Sequence, residues 1–382
     1  MGDSATNLSV FLIHKAKIPV TKMLMHLKIS PIYYLLVFTP ITIALEFLHA
    51  DHVLIFVASG IAILPLAKLI GDATEHLAVH YGSVTGSLLN VTFGNAAEVI
   101  IALVALNAGL FDLIKASITG SIIGNVLLIF GLSIIAGGLR KKEQPFNSQN
   151  AGVQTSMLFL AVIGLAVPTI LAETELKGDS IVNQNLIRLM SDALAFTLLA
   201  VYVGSIIFTF VTHKHLFVTP EETDHEYHAL WSKKRAFLLL VVSMVFVALV
   251  SEILVGSVGA ISEEFGFGEL FVGAVIVGLV GNAAEHSSAI LLARKEKMDT
   301  AIGIAAGSGT QIALFVVPLL VIAGIVLGKP LTLVFTIYEL AVVFLSAIIM
   351  NLIAHDGKSN WFEGVMLTAV YVIIGIGFYF IG

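Results

Sequence analysis

Long apolar runs, separated by short polar segments, follow one another along the chain from residue 31 onward. A hydrocarbon core about 30 Å thick requires roughly 20 apolar residues for each helix that crosses it. Runs of this kind lie near residues 32–49, 53–79, 84–107, 113–137, 152–172, 189–211, 236–259, 269–292, 300–326, 331–353 and 363–381. The pattern predicts an all-α integral membrane protein with about 11 transmembrane helices.

Composition supports this fold class and excludes several functions. Hydrophobic residues make up 58% of the chain and charged residues only 12%, whereas soluble domains carry about 25% charged residues. The net charge of -6 and the scattered basic clusters argue against a nucleic-acid partner. The absence of cysteine excludes disulfides, thiolate metal sites and cysteine nucleophiles.

Basic residues predict the orientation of the chain. In residues 1–30, lysines alternate with apolar residues, which predicts an amphipathic helix lying on the membrane face. With the N-terminus in the cytosol, the inner loops receive the clusters Arg140–Lys142, Lys233–Arg235 and Arg294–Lys297, in agreement with the positive-inside rule. An odd number of crossings then places the C-terminus on the opposite side.

One five-residue motif occurs twice inside apolar runs. It reads Gly94-Asn95-Ala96-Ala97-Glu98 and returns as Gly281-Asn282-Ala283-Ala284-Glu285. Around it, three further pairs keep the same order: Thr74 with Ser251, Glu75 with Glu252, and Asn125 with Gln311. These matches predict an internal repeat.

The repeat predicts five parts of the chain. They are an amphipathic segment at residues 1–30, a first transmembrane helix at 31–50, a five-helix repeat at 51–212, an acidic cytosolic linker at 213–235 and a second five-helix repeat at 236–382. Five crossings in each repeat invert one half relative to the other. Inverted repeats with interrupted helices at the midplane are typical of secondary transporters.

The paired motif has the chemistry of a cation site. Asn95 lies one helical turn before Glu98, and Asn282 one turn before Glu285, so that each amide shares a face with its carboxylate. Gly94 and Gly281 allow the backbone to loosen and present carbonyl oxygens. An all-oxygen site favours hard cations, and Ca²⁺ accepts about six to eight oxygens in flexible geometry. Ca²⁺ is the predicted ion, with Mn²⁺ as an alternative.

Charge counting predicts the mechanism. Two ionised glutamates are neutralised by one divalent cation or by two protons, and only a neutral site crosses a low-dielectric region cheaply. Burial and mutual repulsion both favour protonated carboxylates, so protons can compete with the metal. The expected reaction is exchange of a divalent cation for protons, without a cofactor and without enzymatic chemistry.

Other polar residues have weaker assignments. Glu75 and Glu252 are candidates for the ion or proton path, and Asn125 and Gln311 are either site contacts or hydrogen-bonding contacts between helices. His286 is either a packing residue or a proton relay. The cluster Glu221, Glu222, Asp224 and Glu226 is either a solvated linker or a surface that attracts cations at the cytosolic mouth.

At these residues the sequence resembles the cation/proton exchangers, the calcium/proton antiporter branch of the calcium/cation antiporter superfamily. The resemblance covers most of the chain, including the segment from Gly71 to Glu98, the acidic linker and residues 281–286. It implies eleven helices, with Glu98 and Glu285 alternating between Ca²⁺ and H⁺. The short N-terminus is more typical of prokaryotic members, which favours a prokaryotic cell membrane.

Three alternatives remain open at this stage. A sodium/calcium exchanger of the same superfamily tends to carry Ser, Thr and an additional Asp around the site, where this chain has amides. A cation channel would use the same carboxylates as a selectivity ring. An intramembrane metalloprotease built on Glu75, His76 and His80 lacks the His-Glu-x-x-His order that zinc proteases use.

Overall fold

The computed structural model describes residues 30–81, 83–139, 141–174, 181–213 and 230–381. The predicted amphipathic segment before residue 30 lies outside the described residues. So do the acidic linker residues Glu221, Glu222, Asp224 and Glu226, and Arg140 of the first basic cluster.

Helices account for nearly all of the described chain, and we number them α1 to α11 by apolar segment. They are α1 (a 3-10 turn Pro31–Val37, then Phe38–Phe47), α2 (His52–Tyr81), α3 (Ser83–Phe93 and Ala96–Ala108), α4 (Phe111–Ile123, a π turn Gly124–Ile129, and Phe130–Gly138), α5 (Ser148–Thr174), α6 (Ile181–Ile207 and a π turn Phe208–Thr212), α7 (Lys233–Phe265), α8 (Glu269–Phe271, a π turn Val272–Val277, and Gly278–Arg294), α9 (Met298–Gln311, a π turn Ile312–Val316, and Val317–Val326), α10 (Ile337–Ala354) and α11 (Trp361–Ile381). Two short strands, β1 (Gln144–Pro145) and β2 (Lys358–Ser359), pair in antiparallel fashion.

The helix lengths confirm an all-α membrane protein. Within the described residues, nine helices are long and apolar enough to cross a membrane, and α8 makes a tenth as a pair of segments bent by 66°. The first predicted span, α1, is the short apolar helix Pro31–Phe47. Because its first turns are 3-10, its rise is about 29 Å, close to the thickness of a hydrocarbon core.

Contacts between loops agree with eleven alternating crossings. Lys141 in the α4–α5 loop forms a salt bridge of 2.6 Å with Glu296 in the α8–α9 loop. The β1–β2 pairing joins the α4–α5 loop to the α10–α11 loop. Lys329, between α9 and α10, donates to Asn107 at the end of α3. Each contact joins loops that alternate crossing puts on the same side, so α3 and α8, five crossings apart, run in opposite directions.

The centre of the bundle is built from α4, α8 and α9. In α4, 83% of the most apolar 18-residue stretch is buried inside the protein, whereas in α6 the corresponding share is 17%. The backbones of α4 and α8 are in direct contact, since a Cβ added at Gly120 would lie 1.9 Å from the carbonyl oxygen of Ala274. A Cβ added at Gly278 would lie 3.0 Å from the carbonyl carbon of Gly120. Small residues allow this approach, as they commonly do between membrane helices.

Gly120→Ala is therefore expected to destabilise the protein. The new methyl group meets a backbone carbonyl that cannot rotate away, and overpacking of this kind costs about 1–3 kcal/mol or more. Thermal unfolding followed by size-exclusion chromatography should give a clearly lower midpoint. Gly259→Ala is the matched control, because a Cβ at Gly259 has nothing within 4 Å; equal midpoints for the two variants would contradict the close approach.

Candidate cation site

The two copies of the motif interrupt their helices differently. In α3, Gly94 and Asn95 separate two helical segments, and Asn95 has φ −95° and ψ 20°. Glu98 then lies in the first turn of the segment Ala96–Ala108. In α8, the bend of 66° separates Glu269–Ala283 from Glu285–Arg294. The first helix is thus interrupted at the glycine and asparagine of its motif, as expected for Gly94, whereas the second bends two to three residues later in the motif, between Ala283 and Glu285.

Each glutamate lies against the glycine of the other motif. A Cβ added at Gly281 would lie 3.0 Å from Cγ and 3.6 Å from Oε1 of Glu98, and one added at Gly94 would lie 3.4 Å from Oε1 of Glu285. The two carboxylates are also close enough to interact electrostatically. The structure thus brings the four predicted residues Gly94, Glu98, Gly281 and Glu285 together at one place.

Several oxygen atoms at this place have no hydrogen-bond partner among the described residues. They are Oε2 of Glu98, Oε2 of Glu285 and Oδ1 of Asn125, all of them buried. A buried acceptor without a partner costs about 1–3 kcal/mol. The described residues contain no group of three or more His, Cys, Asp or Glu side chains that could hold a metal, so a cation here would depend on amide and hydroxyl oxygens in addition to the two carboxylates.

The four predicted amide residues form hydrogen bonds between the two halves. Asn95 Nδ2 donates to Gln311 Oε1 at 2.7 Å. Asn125 Nδ2 donates to Asn282 Oδ1 at 3.2 Å. In both pairs an amide from the motif of one half meets a polar residue that follows the motif of the other half. Asn125 and Gln311 thus form hydrogen bonds between helices with the motif asparagines, and a role in binding the ion stays a prediction.

Two serines that the sequence reading did not select complete this network. Asn282 Nδ2 donates to Ser121 Oγ at 3.1 Å. Ser308 Oγ lies 3.4 Å from Oδ1 of both Asn95 and Asn282, and it also hydrogen-bonds Glu285. Because one hydroxyl has a single hydrogen, Ser308 can donate to only one of these acceptors at a time. Each serine follows its motif glutamate by 23 residues, a spacing that could have identified the pair.

Glu75 and Glu252 do not join this network. Both side chains are exposed on the packed helices α2 and α7, and no hydrogen bond links either carboxylate to a described residue. Their neighbours Thr74 and Ser251 are buried, each with 0% exposure. A role of Glu75 or Glu252 in an ion path remains a prediction.

His286 is buried beside Glu285, with 9% exposure. Its Nε2 atom has no hydrogen-bond partner among the described residues. The packing role and the proton relay both stay predictions for this residue. Both histidines of the metalloprotease alternative contact Trp231 instead. His76 stacks on its ring, with 4.3 Å between ring centroids, and His80 Nε2 lies 2.8 Å from its carbonyl oxygen.

These features define a polytopic membrane protein with one polar site shared by two halves. The sequence profile of the family described as "Sodium/calcium exchanger protein" matches residues 52–211 and 235–380. The chain belongs to this family.

Named relatives cover nearly the whole chain. A "Ca(2+)/H(+) antiporter" of Aphanothece halophytica is 42% identical over 359 residues, 91% of this chain and 95% of its own length. "Ca(2+)/H(+) antiporter ChaA" of Bacillus subtilis (strain 168) is 40% identical over 342 residues, 89% of this chain and 96% of its own length.

Solved structures give the same fold. The structure described as native YfkE has a TM-score of 0.78 and 37% sequence identity, and the match covers 91% of this chain and 99% of that one. The crystal structure of "H+/Ca2+ Exchanger CAX" has a TM-score of 0.68 at 16% identity, with 92% and 91% covered. At that identity the second match supports the fold alone.

Ser121→Ala is expected to cost about 1 kcal/mol of stability, because it removes an acceptor of the buried Asn282 amide. Ser133→Ala is the matched control in the same helix. Ser133 is also buried, and its hydroxyl has no partner among the described residues, so that its removal should leave the unfolding midpoint nearly unchanged. Equal shifts in thermal unfolding of the two variants in one detergent would contradict the assigned hydrogen bonds.

Proposed function

We propose that this chain is a secondary active antiporter that exchanges Ca²⁺ for H⁺ across a membrane by alternating access. The observation that carries the proposal is the reciprocal placement of Glu98 and Glu285, each against the glycine of the other motif. A single site made from both halves is what alternating access requires, because a relative movement of the halves can expose it to either side.

Charge balance supplies the coupling. With both carboxylates ionised the site carries two negative charges, which are costly to hold in a low-dielectric interior. One Ca²⁺ or two protons remove that charge. The empty, ionised site is therefore the form that should not reorient, so that movement of Ca²⁺ in one direction requires protons in the other.

The donor set favours a hard divalent cation. Oε2 of Glu98, Oε2 of Glu285 and Oδ1 of Asn125 are buried acceptors without partners, and all three are oxygens. Ca²⁺ binds six to eight oxygens at roughly 2.3–2.6 Å and tolerates irregular geometry. Mn²⁺ accepts the same carboxylate and amide oxygens and is the second candidate cargo.

The organisation of the chain is part of the proposal. We assign the repeats to residues 51–212 and 236–382, in keeping with the two blocks matched by the family profile. The basic inner loops support the assignment of the N-terminus to the cytosol and the C-terminus to the opposite side. The bacterial relatives named above support a prokaryotic cell membrane. The chain acts as a transporter and not as an enzyme, and the relatives named above are antiporters.

Sodium/calcium exchange is the second candidate function, since the family description names it. Amides rather than carboxylates accompany the two glutamates here. This leaves the site with two negative charges, which two protons or one Ca²⁺ balance fully. Dependence of Ca²⁺ flux on Na⁺ distinguishes the two candidates.

Glu98→Gln and Glu285→Gln should each abolish exchange, because a neutral amide keeps the shape of the side chain but can neither release a proton nor balance the cation. The assay is uptake of radiolabelled Ca²⁺ into everted vesicles under an imposed pH gradient, with and without Na⁺. Glu263→Gln, at an exposed glutamate near the end of α7, is the control and should behave as the unmodified chain. Full uptake by either site variant would contradict the proposal, and uptake that required Na⁺ would favour sodium/calcium exchange.

Gly281→Ala should weaken Ca²⁺ binding without abolishing transport. The added Cβ would lie 3.0 Å from Cγ of Glu98, so the glutamate must shift by a few tenths of an ångström. Since a misplacement of about 1 Å can cost roughly 100-fold, we expect the half-saturating Ca²⁺ concentration to rise by about 3- to 10-fold. Gly256→Ala, with nothing within 4 Å of its Cβ, should leave that concentration unchanged; a site that tolerated both changes equally would not have the packing described here.

A further inference from the structure

A second polar feature lies between α5, α6 and α9, beside Gln311. It is a cavity of about 70 Å³, lined by residues that include Gln154, Tyr202, Thr310 and Gln311. Gln311 belongs both to the wall of this cavity and to the amide network of the site, because its Oε1 accepts the hydrogen bond of Asn95. The cavity therefore reaches the amide network from the side of α5 and α6.

The cavity itself extends toward the inner end of α6, where Thr209 and Phe210 line it, and it shares part of its wall with a larger, mostly apolar groove. The groove has a volume of about 770 Å³ and runs between the beginning of α5, at Gln149, and the end of α6, at Thr209. Met157, Ser205 and Thr209 line both spaces. These helix ends adjoin the loop and the linker that the basic residues place in the cytosol.

The chemistry of the lining suits water. A single water needs about 10–15 Å³ on this measure, so the cavity has room for several molecules. Thr310, Gln154 and Gln311 supply polar partners. Tyr202 also lines the cavity. It is only 6% exposed, and its hydroxyl has no partner among the described residues.

The same lining does not suit Ca²⁺. Among the described residues that line the cavity and the groove, none carries a carboxylate or any other full charge. A divalent cation that loses its water needs charge compensation and six to eight oxygen ligands. A proton moves along hydrogen-bonded waters without being desolvated as an ion, so a neutral cavity with a few amide and hydroxyl residues in its wall is sufficient for it.

We propose that this cavity is a water-filled proton route that connects the inner ends of α5 and α6 with the site, apart from the path of Ca²⁺. The inference rests on the proposed Ca²⁺/H⁺ exchange. A proton that binds the outermost water releases another from the far side, and the last one passes to the carboxylate of Glu285. Ser308, next to the cavity-lining Gly307, hydrogen-bonds that glutamate. No covalent bond other than O–H bonds forms or breaks along the route.

The absence of cysteine from the chain allows a direct test of water access. Ser205→Cys places a thiol at the cavity, and Val203→Cys places one on the same helix at an exposed position that does not line it. A charged, membrane-impermeant thiol reagent applied from the predicted cytosolic side should label Ser205→Cys and not Val203→Cys. Equal resistance of both thiols would overturn the proposal.

A second test fills the cavity. A Cβ at Gly307 would meet only Gln311 Nε2, at 4.0 Å, so that Gly307→Val adds volume to the cavity without a backbone clash. Gly303→Val is the control one turn away in the same helix, where a Cβ has nothing within 4 Å. Each variant is measured in two modes: Ca²⁺ uptake driven by a pH gradient, and exchange of labelled for unlabelled Ca²⁺, which needs no proton.

The expected result is a severalfold loss of pH-driven uptake in Gly307→Val with Ca²⁺/Ca²⁺ exchange retained, and no change in Gly303→Val. Tyr202→Phe, which removes only the hydroxyl and keeps the ring stacked on Phe315, should show the same selective loss in weaker form. Equal loss of both modes, or no loss in either, would overturn the separate route. Failure of the exchange function itself would appear differently, as absence of pH-driven uptake in the unmodified protein.

Discussion

The packing of each glutamate against a glycine of the opposite half is the contact on which the rest of the structure depends. A side chain at Gly94 or Gly281 would occupy the space that the other half's carboxylate needs. Bringing two carboxylates to this depth is costly, and it is tolerable only if both can be neutralised together. The close backbone contact of α4 with α8 follows from the same requirement, because small residues there let the two halves approach closely enough to share one site.

Hydrogen bonds between the halves make the site indivisible. Asn95 donates to Gln311 of the other half. Asn282 donates to Ser121 of the other half and also to the carbonyl oxygen of Gly278 in its own helix, so each motif amide has a partner across the boundary between the halves. The two halves are nevertheless unequal. In the first half the helix breaks at Gly94 and Asn95, at the start of the motif, whereas in the second it bends near the end of the motif, between Ala283 and Glu285. His286 stands next to one glutamate and Val99 next to the other, which gives the two carboxylates different surroundings although the repeat is symmetric in outline.

The fold class could be predicted from the sequence because the length of an apolar run is read directly along the chain and can be compared with the thickness of a bilayer. The central glutamates, glycines and asparagines could also be identified from the sequence, since a repeated motif is recognised without a structure. The helix α1 was predicted at the right place, but its 3-10 beginning, which lets 17 residues rise about as far as a full span, has no clear signal in composition.

The serines were missed because Ser121 and Ser308 look like ordinary small residues of a membrane helix. Their function depends on which neighbour their hydroxyls meet in three dimensions. Glu75 and Glu252 show the opposite case. They occupy matching places in the two repeats of the sequence, but their side chains are exposed and lie outside the hydrogen-bond network at the centre.

The network also limits how the halves can move. Breaking Asn95 from Gln311, or Asn282 from Ser121, would leave buried amide groups unsatisfied at a cost of about 1–3 kcal/mol each. A rearrangement that separated the halves at their centre would lose several such bonds at once, whereas one that pivots about the centre keeps them and opens only the ends. Ser308 suits a pivot, because its single hydroxyl hydrogen can pass between Asn95, Asn282 and Glu285 without a change in the helices that carry it. When Glu285 holds a proton or binds a cation, it needs that hydrogen bond less, and the hydroxyl can turn to an asparagine instead. Under the proposed exchange, occupancy of the carboxylates would thus be coupled to the pattern of bonds between the halves through the Ser308 side chain.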